Sequence, residues 1–124
     1  MIVTTTDPVA IVLACDTDSA RPPGAPVGEE ATWYPASGQP AAATRWLVRP
    51  LSTAGLVSAQ DEALTVADLV AAQLVSVDSR SVAADEMRAS WPAWLPAALW
   101  TSILDLSLHG RPTWRRSSTM TGDA

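Results

Sequence analysis

TVADLVAAQLVSVDSRS, residues 65–81, decides how much of this chain is helix. Val66, Leu69, Val70, Gln73, Leu74 and Val77 recur at helical spacing, and five of the six are apolar. Thr65 offers a hydroxyl at the N-cap, and Asp68 puts a negative charge in the first turn, where the helix dipole favours it. Val77-Asp78-Ser79-Arg80-Ser81 ends the pattern. The stretch therefore predicts a helix opening at Thr65 and running to Val77.

Downstream the helical character continues. Ser81 can cap a short helix reaching Met87. Trp91, Leu95, Ala98, Leu99, Ile103 and Leu106 form one apolar stripe, widened by Trp94, Trp100 and Leu104, with Pro92 suited to a first turn. Trp94, Leu95, Leu99 and Ile103 are the expected core of this last helix. Gly110 and Pro112 stop it, and residues 111–124 read as a flexible basic tail. Upstream of Thr65, Ser52–Ala63 reads as a short helix weakened by Gly55.

The first fifty residues differ. β-Branched and small residues dominate 2–16, broken by Asp7-Pro8, and Arg45, Leu47 and Arg49 alternate with Trp46 and Val48 over 43–51. Both read as strands, with a short one near Thr32–Tyr34. The 17–42 connection is crowded with proline and glycine. The expected fold is α+β and predominantly α: an N-terminal β-hairpin or small sheet followed by a three- to four-helix bundle, one domain over 1–110.

Composition bounds the function. Of 124 residues, 48% are hydrophobic and 17% charged, the balance of a folded domain. No apolar run approaches the roughly 20 residues of a membrane helix, and the first basic residue is Arg21, so no secretory signal is expected. A net charge of −5 gives nucleic-acid binding no global support. The chain has no lysine, asparagine or phenylalanine, residues with AT-rich codons, which points to a GC-rich host.

Candidate chemistry is sparse. The single histidine, His109, falls at a predicted helix end, where a cation complements the dipole. The single cysteine, Cys15, falls in an apolar strand and reads as a small core residue. The pairs Asp61-Glu62 and Asp85-Glu86 are adjacent on helices and do not face each other. No phosphate-binding glycine loop and no zinc-ligand spacing is present. The expectation is a protein with no enzymatic activity, cofactor or metal. Six tryptophans stand out instead. Trp100 is a candidate anchor for a partner, and Trp114 lies in a polar tail beyond reach of the core.

Trp46-Leu-Val-Arg-Pro-Leu-Ser52 followed by an acid-containing helical stretch resembles the opening of siphophage tail assembly chaperones. Leu74-Val-Ser-Val-Asp-Ser-Arg-Ser81 is similar to that family's helix-ending turn, which often carries a glycine where Ser79 stands here. Asp85-Glu86-Met87, Trp94-Leu95-Pro96 and Ile103-Leu104-Asp105-Leu106-Ser107 resemble its later helices. The similarity spans roughly residues 44–108. It implies a non-enzymatic chaperone in the host cytoplasm that binds a tape-measure protein and brings it to the tail-tube protein. Val70, Leu74, Trp100 and Trp114 are the expected protein-binding residues. A structural virion component and a regulatory protein-binding domain stay open as alternatives.

Overall fold

The computed structural model describes residues 5–116. Val9–Leu13 forms β1, Glu29–Glu30 β2, Trp33–Pro35 β3 and Trp46–Val48 β4. Thr53–Ser58 (α1) and Val66–Gln73 (α2) follow, then Leu74–Val77 (β5), Ala84–Ser90 (α3), Trp94–His109 (α4) and Arg115–Arg116 (β6). Four strands make one antiparallel sheet in the order β3-β1-β4-β5, and β2 pairs with β6 separately.

This corrects the expected fold class. The structure is a mixed fold in which helices pack on a four-stranded sheet; it is not a helical bundle preceded by a hairpin. The difference lies in residues 74–77, expected as the end of a helix and found as an edge strand. Leu74-Val75-Ser76-Val77 is half β-branched, and its backbone completes the open edge of β4, with Leu47 opposite Ser76 and Trp46 opposite Val77. The helix is released at Leu74, whose φ of −82° and ψ of 117° are already extended.

The beginning of α2 is as expected. Thr65 accepts from the Asp68 backbone N–H and Asp68 accepts from that of Thr65, a complete capping box. Donation to the Asp68 carboxylate by the Thr65 N–H first, then by the Thr65 hydroxyl and Arg88, holds that carboxyl below its ordinary pKa. Arg88 of α3 reaches Asp68 at 2.7 Å and Asp85 at 2.6 Å, tying α3 to the start of α2.

Strand alternation divides the sheet into two faces. Ile11, Leu13, Trp33, Trp46 and Val48 face the helices and form one core with Val70, Leu74, Met87, Leu99, Ile103 and Leu106. Val12 and Tyr34, paired across β1 and β3, are buried on the opposite face. Trp91 packs edge-on against Trp46 with ring centres 5.7 Å apart.

Residues 14–44 are pinned by polar contacts. Thr44 donates its N–H to Asp16, Gln39 exchanges two hydrogen bonds with the Ala20 backbone, and the Arg45 guanidinium donates to the carbonyls of Gln39, Pro40 and Ala43. Cys15 follows β1 and is exposed, contrary to its expected place in the core, because β1 ends at Leu13. Among the described residues no helix is long and apolar enough to cross a membrane.

Candidate protein-binding face

α4 is apolar over most of its circumference, interrupted by Thr101, Ser102, Asp105, Ser107 and His109; within Trp94–His109 only Asp105 and His109 carry ionisable groups. Its inner side, through Pro96, Leu99, Ser102, Ile103 and Leu106, is buried. On its outer side Trp94, Ala97, Thr101, Leu104 and Leu108 recur at helical spacing of three and four residues. Trp94 is 58% exposed, Leu108 61%, Ala97 and Thr101 are exposed, and Leu104 is half-buried. At 1.5 Å per residue this uncharged stripe runs about 21 Å along the surface.

The C-terminal half of the stripe forms one wall of a cleft of about 530 Å³. Thr101, Leu104 and Leu108 lie on one side, Ala31 and Thr32 before β3 on another, and Thr113, Arg115 and Arg116 close it.

Beside the cleft the chain turns back at Gly110, whose φ of +70° is the left-handed C-cap of α4. Asp105 holds the returning segment. Thr113 donates its backbone N–H to Asp105 Oδ2 (3.0 Å) and its hydroxyl to Oδ1 (2.7 Å). The Trp33 indole N–H donates to Oδ2 at 2.9 Å, and His109 Nε2 lies 3.9 Å from Oδ1. Burial pushes the Asp105 carboxyl up, but the bonds from Thr113 and Trp33 and the charge of His109 together hold it below its ordinary value. One residue further, Trp114 stacks on Tyr34 with ring centres 5.9 Å apart, and the Arg21 guanidinium sits 5.2 Å over the Trp114 ring.

The expected site residues are therefore scattered. Val70 is fully buried and Leu74 is 8% exposed; both belong to the core, Val70 on the side of α2 that packs inward and Leu74 at the start of β5 opposite Val48. Trp100 is half-buried and packs against the same core. Trp114 was expected in a tail out of reach of the body. It is seated on Tyr34 instead, because the left-handed turn at Gly110 directs the chain back across β3. The tail's residues 111–116 are thus docked; 117–124 lie outside the described residues. Leu99 and Ile103 are core as expected and Leu95 packs at its margin, whereas Trp94 stands in solvent, one turn before the helix meets α2 and the sheet.

The residues missed were Asp105, Trp33 and Thr113, whose association joins positions 72 and 8 apart in the chain. The available signal was Asp105 itself, the lone acid in α4. Among the described residues no three His, Cys, Asp or Glu side chains stand together in a way that could hold a metal ion. Comparison with known proteins found no matching family model, no matching curated protein and no matching solved structure.

Proposed function

We propose that this chain is a non-enzymatic tail assembly chaperone that lays a helical, apolar-striped segment of a tape-measure-like protein along the outer side of α4. The observation that carries this reading is the solvent-facing stripe Trp94, Ala97, Thr101, Leu104 and Leu108. Single exposed apolar residues are ordinary on a protein surface. A helix apolar over most of its circumference is ordinarily covered over most of it, and here the outer side stays exposed at Trp94, Ala97 and Leu108 among the described residues. The kind of partner comes from the resemblance of residues 44–108. A tape-measure chain is long and helical, and its apolar stripes need cover until the tail tube encloses them.

The geometry suits reversible capture. A second helix packing beside α4 meets spaced apolar anchors, Trp94 at one end and Leu108 at the other, as in helix-in-groove recognition. The stripe is narrow and rests on a rigid buried face, so binding needs little reordering of the chaperone. The acidic excess of residues 61–110, with seven acids against two arginines, keeps the free protein soluble and contributes orientation more than affinity.

Co-expression with the product of a neighbouring long tape-measure-like gene tests the reading. The chaperone is expected to co-purify with that product, raise its soluble fraction and be absent from finished particles. Failure to co-purify, joined to its detection in purified particles by mass spectrometry, would replace the chaperone with a structural virion component.

A further inference from the structure

The segment Arg111–Arg116 occupies a seat whose chemistry can be read from its occupant. Asp105 takes two hydrogen bonds from one residue, the backbone N–H and the hydroxyl of Thr113, and so selects a serine or threonine. Tyr34 and Arg21 clamp the ring of the following residue, here Trp114. The Arg21 guanidinium is itself fixed by a hydrogen bond to the Pro26 carbonyl. Strand β2 then pairs antiparallel with the next two residues, Glu30 opposite Arg115 and Glu29 opposite Arg116.

The seat is largely built without the segment. Trp33 is 2% exposed, held in β3 by its pairing with Leu13, and its indole N–H bonds Asp105 directly, with no atom of Thr113 between them. Tyr34 belongs to the same strand. The segment, in contrast, hangs from α4 through the single left-handed Gly110. Its residues 112–114 are half-buried, Arg115 and Arg116 are exposed, and only two residues are paired as strand. A short terminal segment with no fully buried residue opens at lower free energy than the core beneath it.

We propose that Arg111–Arg116 is a displaceable strap, and that its seat is a docking site for an extended segment of another protein that presents a serine or threonine, an aromatic residue and then arginine. The strap acts as a tethered competitor. Its high effective concentration keeps the seat closed to weak ligands and open to a partner that also binds elsewhere, for which the second contact is intramolecular. The seat adjoins the C-terminal half of the α4 stripe across the cleft, and the proposal does not depend on the chaperone reading.

The probe is a fluorescein-labelled peptide of the strap itself, Arg-Pro-Thr-Trp-Arg-Arg, followed by anisotropy against the full chain. Thr113→Ala/Trp114→Ala disables the tethered competitor while leaving the seat intact, so the peptide is expected to bind that variant about tenfold or more tighter than it binds the wild type. Adding Asp105→Asn to that background is expected to abolish the gain. Equal binding to wild type and to the Thr113→Ala/Trp114→Ala variant, with the variant still unfolding cooperatively, overturns the proposal. Should that variant lose cooperative unfolding, hydrogen exchange in the wild type decides. The Thr113 amide is expected to exchange about a hundredfold or more faster than that of Ile103. Equal protection of the two amides makes the strap part of the core and refutes its displacement.

Discussion

Asp78 and Ser79 have φ angles of +46° and +70°, a left-handed pair of non-glycine residues at the turn after β5. Val77 and Arg80 close the turn with mutual backbone hydrogen bonds of 2.8 and 2.9 Å. Asp78 is compensated, since its carboxylate accepts from the Arg45 N–H and its own N–H donates to the Arg45 carbonyl. Ser79 has no such bond among the described residues, so it bears the cost of its side chain in this conformation. Ser79→Gly is expected to stabilise the protein by up to about 1 kcal/mol in chemical denaturation; a destabilisation would show that the serine side chain matters there. Asp105 makes a second residue-scale prediction. Its folded pKa is lowered, so its contribution to stability is complete above the unfolded value near 4 and is lost as pH falls through the lowered folded value. As pH falls below about 4 the wild type should therefore lose stability more steeply than Asp105→Asn, with the other depressed carboxyls, Asp68 and Glu86, common to both proteins. Parallel curves would contradict the clasp. The turn at 77–81 was legible from its residue types. The clasp was not, because a carboxylate's partners are set by tertiary approach, and Trp33 comes from a strand at the other end of the chain.

At the scale of elements, α4 and the α2 N-terminus were the clearest in the sequence, since length, capping chemistry and a glycine stop agree there. The boundary of α2 with β5 was not. Val66, Leu69, Val70, Gln73, Leu74 and Val77 satisfy a helical period, and Leu74 to Val77 are also good strand residues. Only the unfilled edge of β4, invisible in a local window, chooses between them. The same ambiguity put Val70 and Leu74, which are core, among the expected contact residues: an apolar stripe shows that a face is covered or coverable, and not which. Within α4 the distinction is measurable. Leu99→Ala removes a fully buried side chain and should cost about 2–5 kcal/mol. Trp94→Ala removes a larger side chain that stands in solvent and should cost no more than about 0.5 kcal/mol. Comparable losses in chemical denaturation would mean that Trp94 packs inward and that the outer stripe is shorter than described.

Over the whole molecule, the sheet fixes one side of α4 and thereby exposes the other. Ile11, Trp46 and Val48 meet Leu99, Ile103 and Leu106 in one core, and among the described residues Trp94, Ala97 and Leu108 stay exposed on the outer side of α4, with the Thr113–Arg116 segment across the cleft from Leu108. A helical bundle would have wrapped this helix; a sheet-backed helix leaves an outer face available for a partner. The measurement that tests this most directly is a pull-down of the co-expressed tape-measure-like protein by the wild type and by Ala97→Glu/Leu108→Glu. Both substitutions lie on the exposed stripe, so cooperative thermal unfolding should be retained in the variant. The account predicts that the wild type captures the long protein and that the folded variant loses the capture by about tenfold or more, as buried charges at an apolar interface require. Capture undiminished in the folded variant would contradict it and place the partner elsewhere on the molecule.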